Sequence, residues 1–300
     1  MTATAPSGSP VRGFLRLVMI EHSIFALPFA YLAALSAMVW LAPSDPVVRW
    51  GDLFLVTTAM VGARTFAMAA NRIIDRHVDA QNPRTAEREL VTGTVSLRTA
   101  YLGAAAAAAV FLVSAALLSP LALWLSPVAL ALVTVYPYGK RFTWAPHAVL
   151  GVAQAAGPIG AWVGVTGELG AVPLGLAVGL WIGGFDVIYA CQDVDSDRRT
   201  GVQSLPARFG VGPALWVSRA VHALAVLAFA WFGVGYGFGW LYGLGVAVVA
   251  AALVYEHTLV RPDDLSRVNR AFFTANGFIG AAMFGFGLAD LILLQGLSLF

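Results

Sequence analysis

A chain of 300 residues that is 59% hydrophobic and only 11% charged, with a mean hydropathy of +0.78, is not a soluble enzyme built on one core, for which roughly 25% charge is usual. The formal net charge of +2 is small, and no nucleic-acid partner is expected. The single cysteine, Cys191, excludes an intrachain disulfide and points to neither an oxidising compartment nor a zinc site.

Residues 1–12, small and rich in Pro and Ser at their start, read as a disordered tail ahead of one membrane-embedded domain, 13–300. No basic n-region precedes residues 1–10, and the first apolar run is too long for a secretory signal and is expected to be retained. At about 20 apolar residues per span, nine helices are predicted: 18–41, 53–73, 99–118, 121–138, 148–165, 172–190, 213–232, 238–255 and 271–293. The fold class is therefore an all-α polytopic bundle that has the lipid bilayer as a partner. Of the 18 basic residues, all but Arg49 and Arg64 fall on the N-terminal side of these spans. By the positive-inside rule that side is cytoplasmic, in a cell inner membrane or plasma membrane, and the tail 293–300 lies across it. Glycine spacings such as Gly160 to Gly164, Gly175 to Gly179 and Gly179 to Gly183 predict close helix packing in lipid.

Two polar clusters end apolar spans on the cytoplasmic side. In the first, Asn71, Asp75 and Asp79 stand four residues apart and share one helix face. In the second, Asp193 and Asp197 repeat that spacing. Four carboxylates with no accompanying Cys or paired His form an oxygen-only set suited to a hard cation such as Mg2+, which keeps positions open for water and phosphate oxygens. Arg72, Arg84, Arg88, Lys140, Arg141 and Arg198 fall on the same side of the membrane and would contact the same phosphates. A site opening into lipid implies an amphiphilic phosphate ester, its head at the metal and its tail along an apolar groove. A transporter would instead place charges near mid-span in several helices.

These residues resemble the two signature motifs of the UbiA-type intramembrane aromatic prenyltransferases. The first is Asn71-x-x-x-Asp75-x-x-x-Asp79 with Asn82-Pro83-Arg84-Thr85; the second is Asp186-x-x-Tyr189-Ala190-x-x-Asp193-x-x-x-Asp197 with Gly201-x-x-Ser204-x-Pro206. Similarity extends to Glu21-His22-Ser23-Ile24-Phe25 and to Tyr136-Pro137-Tyr138-Gly139-Lys140-Arg141. The flavour is that of the 4-hydroxybenzoate polyprenyltransferase branch and its menaquinone-pathway relatives. Arg72 departs from the pattern, standing where many members carry Asp, and exchanges a possible metal ligand for a phosphate partner.

The resemblance implies Mg2+-dependent transfer of a polyprenyl chain from polyprenyl diphosphate to a small aromatic acceptor, with release of diphosphate. It implies metal ligation by Asp75, Asp79, Asp193 and Asp197, and Asn71 orienting a metal or phosphate oxygen. Arg72, Arg84, Arg88, Lys140, Arg141, Arg198 and Ser204 are implied substrate or diphosphate contacts. The other acid-paired motif considered, that of CDP-alcohol phosphotransferases, has Gly directly after the second Asp, where this chain has Ala80 after Asp79. Arg64 and Asp186, costly inside a span, are expected to pair with each other or with the clusters. His22 is expected at the acceptor or at a helix end. His147, His222 and His257 are expected to be single interfacial residues.

Overall fold

The computed structural model describes residues 10–18, 27–270 and 276–300. Its elements are α1 (Pro10–Leu17), α2 (Leu27–Leu41), α3 (Trp50–Asp79), α4 (Leu97–Leu118), α5 (Pro120–Phe142), α6 (Pro146–Thr166), α7 (Val172–Ala190), α8 (Val194–Thr200), α9 (Leu205–Phe209), α10 (Val211–Gly235), α11 (Trp240–Thr258), α12 (Val268–Arg270) and α13 (Asn276–Leu293). Among the described residues eight helices are long and apolar enough to cross a membrane, and the shorter apolar α2 makes nine. The protein is a multi-pass membrane protein, as its hydropathy predicts. Positions 10–12, read as tail, are instead the first turn of α1. The Glu21-His22 motif and the first five residues of the last predicted span lie outside the described residues.

Each spanning helix packs on the next, and α13 returns onto α2, so the bundle closes into a ring, with α2 also packed on α6. Tight junctions enforce this order. α4 and α5 are separated only by Ser119, whose hydroxyl accepts from Ala122 N–H at 3.1 Å and donates to the Val163 carbonyl at 2.9 Å. The interior is apolar and aromatic: Phe29 lies 5.2 Å from Trp181 and 5.7 Å from Phe229, centroid to centroid. Large apolar side chains left exposed, such as Trp124, Leu227 and Val254, line the outer face where lipid belongs. Two of the three glycine spacings act as predicted. A Cβ on Gly175 would stand 2.8 Å from the Ala155 carbonyl oxygen and one on Gly183 3.1 Å from that of His147, whereas Gly160 faces open space.

The two ends of the bundle differ. At one, Val48 N–H donates to Ser298 O at 2.9 Å and Ser298 N–H to Pro46 O at 2.8 Å, tying the first connection to the C-terminal tail. Asp290, fully buried, accepts Gly239 N–H at 2.9 Å, Tyr242 N–H at 3.0 Å and Gln295 Nε2–H at 3.3 Å. It caps α11 from α13, satisfying amides that the helix start leaves without partners. Asp290→Ala should lower stability by about 3 kcal/mol and Asp290→Asn by about half of that, read as thermal unfolding in detergent with transfer activity followed alongside.

Candidate functional site at the polar end of the bundle

The opposite end gathers the acids. At 30 residues α3 is about 45 Å long, more than the hydrocarbon core requires, and most of its charged residues are gathered in its last turns. Those turns carry Asn71, Asp75 and Asp79 on one face. In the second motif α7 tightens into a 3₁₀ turn at Cys191–Asp193 before α8, and Gly201, at φ 73°, ends α8 in the left-handed conformation that suits glycine. The chain then doubles back to Ser204.

Each of the four acids is engaged by a donor of the chain itself. Lys140 Nζ donates to Asp75 Oδ2 at 3.0 Å, Arg88 Nη1 to Asp79 Oδ1 at 2.6 Å, and Ser204 Oγ to Asp197 Oδ2 at 2.8 Å. Arg84 forks onto Asp193, with Nη2 2.7 Å from Oδ2 and Nε 3.1 Å from Oδ1, and its Nη1 donates to the Tyr189 hydroxyl at 3.3 Å. Burial opposes the Arg84 charge, but the hydrogen bond and charge of Asp193 more than offset it, so its pKa is raised. Asn82 Nδ2 adds a fourth contact, 3.2 Å from Asp193 Oδ1. The loop that follows the first motif thus touches the acid that opens the second. A further tie runs from Gln203 N–H to the Lys140 carbonyl at 2.8 Å. The two patches, more than 110 residues apart in sequence, form one site.

Asp75 and Asp79 are buried, as is Arg72 on the same helix, while Asn71 is half-buried one turn before Asp75. Arg141 and Arg198 are turned to other uses: Arg141 Nη2 donates to the Ile74 carbonyl at 2.8 Å and its guanidinium lies 5.0 Å from the Tyr138 ring, and Arg198 Nε caps α9 through the Ala207 carbonyl at 2.9 Å. Sequence reasoning gave no role to Asn82 or to Thr85, whose hydroxyl donates to the Asp79 carbonyl at 2.9 Å. The histidines expected to be single are paired. His147 is buried with its Nδ1 2.7 Å from Asp186 Oδ2, so Asp186 pairs neither with Arg64 nor with the clusters. Arg64 donates to the Val18 carbonyl at 3.4 Å. His222 Nδ1 and His257 Nε2 are 3.0 Å apart, His222 being buried between α7 and α10 with Nε2 3.1 Å from the Trp181 carbonyl. A carboxylate inside an apolar span demands a partner, and that was the one available signal for His147.

Among the described residues no three carboxylate, imidazole or thiol groups are placed to hold an ion by themselves. The donor set nevertheless fits Mg2+, which takes one or two carboxylates and completes its shell with water and phosphate oxygens.

Comparison with known proteins follows the same lines. The UbiA prenyltransferase family matches residues 26–279. The 4-hydroxybenzoate octaprenyltransferase of Aromatoleum aromaticum is 35% identical over 291 residues, covering 95% of this chain and 96% of that one. That of Methylobacillus flagellatus is 34% identical, covering 82% and 83%. Among solved structures, a UbiA homolog from Aeropyrum pernix K1 is 38% identical with a TM-score of 0.81, covering 91% of this chain and 98% of that one. A UbiA homolog from Archaeoglobus fulgidus, bound to DMAPP and Mg2+, shares the fold at 20% identity and a TM-score of 0.70, covering 94% and 99%. With both aspartate motifs meeting at one end of a closed ring of helices, and a match that runs almost the length of the chain, this protein belongs to the UbiA prenyltransferase family.

Proposed function

We propose that the protein transfers a polyprenyl group from polyprenyl diphosphate to 4-hydroxybenzoate or a hydroxynaphthoate, in quinone biosynthesis. The observation that carries this reading is the convergence of four carboxylates, three of them held by Lys140, Arg84 and Arg88, at one end of an apolar bundle. The names of the relatives favour the hydroxybenzoate acceptor and hence the ubiquinone route.

Asp75, Asp79, Asp193 and Asp197 are the residues that would hold Mg2+, with Asn71 beside them. Bound there, the ion supplies Lewis-acid stabilisation of the charge that develops on the departing diphosphate. Lys140, Arg84 and Arg88 neutralise the acids in the structure, and the same cations are available to phosphate oxygens once the acids turn to a metal. Arg72 and Ser204 are the further contacts we assign to the diphosphate, while Arg141 and Arg198, held on the Ile74 and Ala207 carbonyls, would have to leave them to reach it. Ionisation of the prenyl ester leaves an allylic cation, which water would convert to an alcohol. The apolar and aromatic core of the bundle keeps water from it. We infer that this end faces the cytoplasm of a bacterial inner membrane, because the basic loops lie here.

The test is incubation of membranes containing the protein with polyprenyl diphosphates and a panel of hydroxybenzoates and hydroxynaphthoates, read by product mass. A prenylated hydroxybenzoate, abolished by EDTA and restored by Mg2+, is expected. Ion flux in proteoliposomes with no prenylated product would instead support the transporter reading.

A further inference from the structure

One carboxylate of the second motif has no part in the metal set described above. Asp186 stands on α7 seven residues before Asp193, two turns deeper on the same face. Tyr136 and Lys140 lie within electrostatic reach of both Asp186 and Asp75, and Lys140 donates to Asp75 at 3.0 Å, which sets Asp186 near the acids of the first motif. Its partner is His147, at the start of α6.

Geometry fixes the tautomer of that histidine. Leu205 N–H donates to His147 Nε2 at 3.4 Å, and a nitrogen that accepts carries no hydrogen. The proton of the neutral ring therefore lies on Nδ1 and is given to Asp186 Oδ2, 2.7 Å away. The imidazole side chain is 6% exposed and the carboxylate 22%, so the ring is sealed behind an acid that keeps an open side. Leu205 opens α9, and Ser204, its cap, holds Asp197. A single short run of chain thus ties the deep acid to the second motif.

We propose that His147 is a positioning residue for the transfer reaction, holding the Asp186 carboxylate aimed at the acceptor ring, whose proton Asp186 takes. This rests on the function proposed above. In that reaction the C1–O bond of the prenyl diphosphate breaks and both electrons leave with diphosphate. Ring π electrons form the new C–C bond to C1. The hydrogen on the attacked ring carbon then departs as a proton to Asp186, its bonding pair restoring the aromatic ring, and no oxidant or reductant is needed.

The experiment compares the purified wild-type protein with His147→Asn, His147→Gln, Asp186→Asn and the double variant His147→Gln/Asp186→Asn. The acceptor is 4-hydroxybenzoate with hydrogen or deuterium at the ring positions beside the hydroxyl. Asparagine places an N–H where Nδ1 stood but gives up Leu205, whereas glutamine still reaches Leu205 and loses the bond to Asp186. Asp186→Asn is expected to lower kcat about 100-fold and His147→Gln about 10-fold, with KM for either substrate within about twofold. His147→Asn is expected to keep most of the wild-type kcat, and the double variant to be no slower than Asp186→Asn alone. Ring deuterium should slow His147→Gln and Asp186→Asn but not the wild type, because ring-proton loss becomes rate-limiting only when the acceptor is displaced. Additive losses in the double variant, an effect confined to KM, or a slow Asn and a fast Gln variant would each overturn the proposal and leave His147 a structural tie. A wild type that forms no prenylated product at all would end the functional reading first, and this inference with it.

Discussion

Asp193→Asn should give a folded protein whose kcat/KM for prenyl transfer has fallen about 10²–10³-fold, the range expected when one charge-stabilising group is removed from a reacting site. Stability is not expected to follow. The Arg84–Asp193 pair is 40% and 16% exposed on its two sides, and a pair so placed contributes at most about 1 kcal/mol. Asp75 is the opposite case, since its side chain is 2% exposed and Lys140 is its cation. Lys140→Met strands a buried carboxylate and should cost about 3–5 kcal/mol, which Asp75→Asn in the same chain should largely recover. Unfolding midpoints and transfer rates of the three proteins separate the roles. If the double variant regains stability and stays inactive, the Lys140–Asp75 pair serves the reaction. If activity returns with stability, the pair only holds the fold.

Much of this architecture is legible in the residues themselves. Hydropathy is enough to set nine spans, and helical spacing is enough to set Asn71, Asp75 and Asp79 on one face, because both follow from the period of the α-helix and the thickness of a bilayer. The convergence of the two motifs follows from counting: with an even number of crossings between them, they must emerge on the same side. Pairing between helices is not legible. His147 finds Asp186 across 39 residues, His222 finds His257 across 35, and Asp290 caps a helix that begins 50 residues earlier. Each depends on which faces of two helices meet, and no spacing within one helix encodes that. The same limit explains the glycines, where Gly175, Gly179 and Gly183 meet α6 backbone while Gly160, in an equally suggestive pattern, meets nothing.

That contrast carries the second large effect. A Cβ at Gly179 would lie 2.6 Å from the Gly151 carbonyl oxygen, and one at Gly151 would lie 2.6 Å from that of Gly179, so α6 and α7 touch backbone to backbone. In lipid, where apolar burial does not distinguish protein from solvent, such close approach is a main source of helix association. Gly179→Val must push the helices apart, and no flexible side chain can yield in its place. The expected cost is at least about 3 kcal/mol, with loss of folded protein in detergent. Transfer should fail at the same time, because α6 carries His147 and α7 carries Asp186 and leads into Asp193. Gly160→Ala is the control: it fills open space and should raise stability by up to about 1 kcal/mol through helix propensity. Equal unfolding midpoints for Gly179→Val and the wild type would show that the contact does not hold the two halves of the site together.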